Sequence, residues 1–215
     1  MRLYSRRVER PRLFAYEPPP PAEPSSEERI RDAALERFAT HGVAATSLAK
    51  VAEAAGVSIG LVQHYYGTKA ALVAAVDQHV LRILSDGLES ADLPKQPAGA
   101  LAEAGRQLTG LIAENPLVMD YLAHALCERA EVGSVIFDGL IGISVAQRDH
   151  FAEHGLTRPD LDPEWAVLNP LILRVGALIL RPHIERYLGE PLFDDAQLQR
   201  WDRAVTGLIQ EGQFR

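Results

Sequence analysis

Apolar positions recur with a helical period along almost the whole chain, and glycine, proline and hydroxyl residues cut that pattern into segments. Ile30, Ala33, Ala34 and Phe38 share one helical face. Ser25 or Ser26 can cap that helix, Glu27 and Glu28 suit its first turn, and Gly42 can end it. A second, short helix is predicted from about Ser47 to Ala55, with Leu48, Val51, Ala52 and Ala55 inward and Gly56 as the stop. A third begins at Ser58 and reaches about Tyr66, and a fourth runs from Thr68 to about Asp86 on Leu72, Val76, Val80 and Ile83. After a loop marked by Pro94 and Pro97, helices are predicted over 98–114, 116–130, 132–154, 163–187 and 195–212. Their breaks fall at Asn115-Pro116, Gly133, His154-Gly155 with Pro159, and Leu188-Gly189 with Pro191. No run of alternating residues demands a strand, and no internal repeat is detectable. The predicted fold class is all-α: an N-terminal three-helix domain over 26–72, containing a helix-turn-helix at about 47–66, and a larger helical domain over 73–215.

Residues 1–25 stand apart as a basic, Pro-rich arm. Pro18 to Pro21 and Pro24 favour extended polyproline backbone over helix, so little fixed structure is expected there without a partner. Composition alters the picture little. With 215 residues, 47% of them hydrophobic, the chain can bury a sizeable core without staples. Cys127 is the single cysteine, which precludes an internal disulfide and fits a reducing compartment. The N-terminus lacks a signal-type apolar run, and the most apolar stretch, Trp165 to Leu180, is interrupted by Asn169, Pro170 and Arg174. A cytoplasmic protein with no membrane partner is expected.

Charge alters it more. The net charge of −7 argues against a nucleic-acid binder until it is divided. Residues 1–25 carry +2, residues 26–72 are neutral, and residues 73–215 carry −9. The front of the molecule can meet phosphate while the rest is an acidic body. Two short helices joined by Ala55-Gly56-Val57, the second opening on Ser58, have the form of a helix-turn-helix. Gly56 permits the turn, Val57 fills the angle between the helices, and Ser58 caps the second. Its N-terminal part is then free to enter a major groove.

The segment from Ile30 to about Val76 resembles the TetR family of bacterial regulators. The matching residues are Phe38, Gly42, Thr46-Ser47, Ala55-Gly56-Val57-Ser58, Gly60, Tyr65-Tyr66 and Lys69. The resemblance covers about a quarter of the chain; the remainder is similar only in being long and helical. It implies that Thr46 and Ser47 offer hydroxyl and backbone N–H groups to phosphate, that Tyr65 and Lys69 contact phosphate, and that Val62 and Tyr66 pack inward. The base-reading face would be Ile59, Gly60, Leu61, Gln63 and His64, with Ala49 from the preceding helix. This face departs from the usual pattern in being apolar. Only Gln63 and His64 can read base edges by hydrogen bonding, and Ile59 or Leu61 could touch thymine methyls, so A·T-containing positions are expected. Arg2, Arg6, Arg7, Arg10 and Arg12 could enter a minor groove, or form a solvated tail adding only general attraction.

The resemblance further implies a homodimer through the last two long helices, about 163–187 and 195–212, and a small-molecule pocket in the larger domain. The first of these helices is apolar almost all round, so it must be buried in a core or against a partner. Pro170 should kink it and open space nearby. Polar residues within apolar helices, His124, Cys127, Asn169 and Arg174, are candidate pocket groups, with Tyr121, Phe137 and Trp165 as walls. Each also reads as a satisfied core or interface group, and Arg174 as one half of an ion pair across a dimer.

No phosphate loop or nucleophile elbow is present, so no enzyme and no cofactor are expected. His150 and His154, four apart with Glu153 between them, come nearest to metal-ligand spacing but also fit a solvated helix end, and no metal is expected. Two other classes remain: a helical metal-binding enzyme built on that pair, and an interaction protein whose helix-turn-helix docks on protein. Double-stranded operator DNA is the expected partner, with repression the commoner outcome in the family and an unidentified effector.

Overall fold

A computed structural model describes residues 23–88, 97–128 and 131–214. Most of the arm, with Arg2, Arg6, Arg7, Arg10 and Arg12, lies outside the described residues. Ten helices are described: α1 Ser26–Ala45, α2 Leu48–Ala55, α3 Ile59–Tyr66, α4 Lys69–Leu88, α5 Pro97–Glu114, α6 Pro116–Cys127, α7 Glu131–Glu153, α8 Trp165–Ile179, α9 Arg181–Leu188 and α10 Asp195–Gln213. The all-α expectation holds: the only β pairing among the described residues is an isolated bridge between Thr157 and Phe214.

Local chemistry accounts for the first helices. Ser25 Oγ accepts from the Glu28 N–H at 3.2 Å while the Glu28 carboxylate accepts from the Ser25 N–H at 2.8 Å, a reciprocal capping box. These hydrogen bonds hold the Glu28 carboxyl below the ordinary range. Gly42 ends the regular part of α1 with φ of 77°, and a short turn continues to Ala45. Ile30, Ala34 and Phe38 of α1 are buried with Val51 of α2, Val62 of α3, and Leu72, Val76 and Val80 of α4.

That core does not stop at the boundary expected near residue 72. α4 carries it onward, and α6 lies along α1, placing Val118, Met119, Leu122 and Ala125 in the same apolar cluster. The Phe38 and Tyr121 rings face each other at 6.5 Å. α5 packs against α10, and α8 against α6, α7 and α10.

Two expectations are corrected. The helix predicted over 163–187 is two helices, bent by 73°. The break is not at Pro170, through which α8 continues. It falls at Leu180, just before Pro182, whose missing N–H costs nothing in the first turn of α9. Gly133, expected to separate two helices, lies inside α7. A Cβ there would stand 2.5 Å from the Ala125 carbonyl oxygen, so this glycine lets α7 approach the backbone of α6.

Candidate nucleic-acid interface

The two short helices are built by their caps. Ser47 Oγ accepts from the Lys50 N–H at 3.3 Å to open α2, and Gly56, with φ of 65°, closes it. The Val57 N–H donates to the Ala52 carbonyl at 3.0 Å, and its side chain packs against the core between the helices. Ser58 Oγ accepts from the Leu61 N–H at 3.2 Å and opens α3. Ser58 is therefore exposed but engaged as a cap.

The inner face of α3 is anchored at two points. Val62 is wholly buried. The Tyr66 hydroxyl donates to the Glu27 carbonyl at 2.9 Å, tying the end of α3 to the start of α1. Burial, with Glu27 adding to it, pushes the Tyr66 phenol up from its usual range. The outer face presents Ile59, Gly60, Gln63, His64 and Tyr65 to solvent, with Ala49 exposed on α2. His64 stands edge-on to Tyr65 at 5.5 Å. Leu61 is half-buried and packs against the core, leaving Ile59 as the exposed aliphatic group of the pair.

Thr46 requires a correction. Its side chain is 1% exposed, and its hydroxyl donates to the Gly42 carbonyl at 3.0 Å and the Arg37 carbonyl at 3.3 Å. The left-handed break at Gly42 leaves α1 carbonyls without helical partners, and Thr46 turns inward to satisfy them. Ser47, next along the chain, remains exposed.

Lys69, in the first turn of α4, extends its ammonium to the Ala44 carbonyl at 3.4 Å. Lys50, which sequence reasoning did not single out, donates to the Ala45 carbonyl at 3.0 Å. Two cations thus bond the consecutive carbonyls of Ala44 and Ala45 at the α1–α2 corner. Both sit in the first turn of a helix, where the dipole disfavours positive charge. A phosphate at that corner would meet two ammonium groups and the N–H-bearing ends of α2 and α4. The signal for Lys50 was its place three residues after the Ser47 cap.

In the helical body, α4, α5, α6, α7, α8 and α10 line a mostly apolar cavity of about 170 Å³. Of the residues expected to line a pocket, Arg174 does so, and Pro170 lines it as well. Tyr121 is instead buried in the core, its hydroxyl donating to Asp77 Oδ1 at 2.5 Å. His124 is exposed and bonded to the Asp120 carbonyl at 3.0 Å. Cys127 and Phe137 are exposed, and Trp165 and Asn169 border a shallow groove between α8 and α10. Arg174 pairs within its own chain, with Asp202 of α10 at 3.4 Å. The His150 and His154 rings lie 4.7 Å apart, tilted by 47°, and no third metal-ligating side chain joins them among the described residues.

A capped, outward-facing eight-residue helix on a small core, two lysines at the α1–α2 corner and a large helical body together define a helix-turn-helix protein. Residues 30–76 match the family model described as bacterial regulatory proteins, tetR family. It is 31% identical over 142 residues to the HTH-type transcriptional regulatory protein RaaS of Mycobacterium tuberculosis, covering 66% of this chain and 64% of that protein. It is 36% identical over 87 residues to the HTH-type transcriptional regulator BetI of Paraburkholderia xenovorans, covering 40% of this chain and 42% of the relative. The chain thus matches less than two thirds of the length of either relative. The fold is similar to that of SmeT, the repressor of the Stenotrophomonas maltophilia multidrug efflux pump SmeDEF, with a TM-score of 0.67 at 21% identity over 89% of this chain and 91% of SmeT. No single helix among the described residues is long and apolar enough to cross a membrane.

Proposed function

We propose that the chain is a sequence-specific DNA-binding transcriptional regulator, a homodimeric repressor that a small molecule releases from its operator. The observation that carries this reading is the outer face of α3, with Gln63 and His64 exposed, together with the Lys50–Lys69 corner. In this reading residues 26–72 bind DNA, residues 73–215 dimerise and hold the effector, and residues 1–25, with Arg6, Arg7 and Arg10, reach toward the neighbouring groove. Ser47, Tyr65, Lys50 and Lys69 meet phosphate, and the Thr46 hydroxyl is given a structural task instead. Ile59, Gln63 and His64 face base edges, with the bare backbone of Gly60 permitting close approach. No cofactor or metal is needed, and the protein works where its DNA is, in the cytoplasm.

Physical need supports dimerisation, as does the resemblance to the tetR family. One short helix reads too few base pairs for specificity, whereas two reading half-sites about one turn apart read enough. Trp165, Ile172 and Leu208 stand 52%, 51% and 63% exposed on α8 and α10, an apolar surface that a second copy would cover.

The test is binding of the purified protein to the DNA upstream of its own gene, against scrambled DNA, across a salt series. Specific, salt-dependent binding is expected. Lys50→Ala and Lys69→Ala should each weaken binding to every sequence and reduce the salt slope by about one. Gln63→Ala should cost about 1–3 kcal/mol at one base position while leaving the slope alone. Equal affinity for scrambled DNA, or insensitivity to salt, would overturn the reading.

A further inference from the structure

The cavity of the helical body has an uneven lining. Its walls are apolar side chains, among them Leu111, Leu140, Phe151, Leu178 and Trp201. The charged side chains among its described lining residues are Arg148 and Arg174, and no carboxylate is among them. Most of the polar lining is already engaged at ordinary distances. Ser144 donates to the Leu140 carbonyl at 3.0 Å, and Gln213 to the Ala166 carbonyl at 2.8 Å. Arg148 donates to Asp149 at 2.6 and 2.9 Å and to the Pro163 carbonyl at 2.8 Å.

Arg174 differs. Its side chain is 17% exposed, and its two contacts, to Asp202 Oδ1 and Thr206 Oγ1, are both 3.4 Å long. A guanidinium presents five N–H donors in a planar fork, and N–H···O bonds are normally 2.7–3.2 Å, so this one is held loosely. Asp202 does not line the cavity; it stands close against Gly105 of α5, where a Cβ would overlap its carboxylate. Burial draws the Arg174 pKa down and Asp202 draws it back up, and the group stays protonated.

Three ligand chemistries can be weighed against that lining. A cation would sit beside two guanidinium groups with no lining carboxylate to neutralise it. A purely apolar ligand would cover Arg174 donors without pairing them, at the cost of unsatisfied polar groups. A carboxylate could take two parallel N–H···O bonds of 2.7–2.9 Å from the same fork while its apolar portion fills the remaining space.

We propose that this cavity binds an anionic amphiphile, with its carboxylate on Arg174 and its hydrocarbon body among the apolar walls. The assignment rests on the effector reading above and names the chemical class of that effector.

The experiment uses the whole protein and three probes with an eight-carbon chain, octanoate, 1-octanol and octyltrimethylammonium, the two ions kept below their micelle concentrations and the alcohol below its solubility. Thermal shift and calorimetric titration should rank octanoate first. Arg174→Gln should lower octanoate affinity at least tenfold and leave 1-octanol within about twofold. Should that variant fold poorly, Asp202→Asn supplies the second arm. Removing the competing carboxylate should raise octanoate affinity several-fold, whereas a merely structural ion pair predicts no gain. Octanoate affinity unchanged in Arg174→Gln, preference for octyltrimethylammonium, or binding of none of the three overturns the proposal. Parallel titration of the protein–DNA complex separates the two readings. Octanoate bound through Arg174 without DNA release would sustain the ligand assignment and remove the effector role. DNA release by octyltrimethylammonium alone would do the reverse.

Discussion

At the scale of single residues, neighbouring side chains of similar chemistry take opposite tasks. Thr46 and Ser47 both carry hydroxyls, yet Thr46 is buried against α1 carbonyls and Ser47 is exposed as the α2 cap. The difference arises from Gly42, whose left-handed conformation leaves carbonyls for Thr46 to satisfy. Ser58 shows the energetic weight of such a cap. Its Oγ meets the Leu61 N–H at the start of an eight-residue helix that has little length to stabilise itself. Ser58→Ala should cost about 1 kcal/mol of stability by denaturant unfolding. It should also weaken DNA binding, because a frayed α3 misplaces Ile59 and Gln63. A loss under 0.3 kcal/mol would assign the helix start to packing instead.

At the scale of elements, α6 is where the helical body meets the helix-turn-helix. It lies against α1, and Tyr121 reaches Asp77 of α4. Burial raises the Asp77 carboxyl above its ordinary value; the Tyr121 hydrogen bond opposes that rise and Glu131 adds to it. Burial of its ring, and after it the same bond, push the Tyr121 phenol far upward. The folded state therefore binds the Asp77 proton more tightly than the unfolded chain does. This group's contribution favours the fold below the unfolded carboxyl range and is lost as pH rises through the folded-state value. Asp77→Asn removes that contribution and keeps an acceptor for Tyr121, so its stability relative to the parent should improve as pH rises from 4 to 7. A difference independent of pH would sink this account. Tyr121→Phe should cost about 1–3 kcal/mol, because it leaves a half-buried carboxylate without its donor.

Gly133 makes the second element-level case. Gly133→Ala should destabilise by about 1–3 kcal/mol, because the new methyl meets a backbone carbonyl of α6 that no rotamer change can move. Thermal unfolding would measure it, and a neutral result would mean that α7 can slide without loss.

At the scale of the whole molecule, α8 leaves part of its apolar surface uncovered by its own chain. Its inner residues Ala166, Val167, Leu171, Ala177 and Leu178 are buried within the chain, while Trp165, Ile172 and Leu173 remain outside. The proposed dimer would cover these with Leu208 of α10. Ile172→Glu together with Leu208→Glu should halve the mass seen in sedimentation and sharply reduce operator affinity while the helical content is retained. A dimer that survives both substitutions would place the interface elsewhere.

Much of this was legible in the sequence because it depends on neighbours along the chain. Helical period, caps at Ser25, Ser47 and Ser58, and stops at Gly42 and Gly56 involve groups a few residues apart, and the structure keeps them. The outward position of Gln63 and His64 follows from the burial of Val62 in the same short helix. What depended on distant partners was not legible. The inward turn of Thr46 required the carbonyls of Arg37 and Gly42, whereas the break at Leu180 had a local mark in Pro182 that the apolar pattern of the long segment masked. The assignment of Tyr121 to the core and of Arg174 to the cavity wall turned on residues 44 and 28 positions away. The sequence by itself determined an all-α chain with a helix-turn-helix, since hydrogen bonds within helices and apolar periodicity are local. Only tertiary structure decided which polar groups meet solvent, which meet each other, and which are left loosely held at a cavity wall, because burial is a property of the assembled helices.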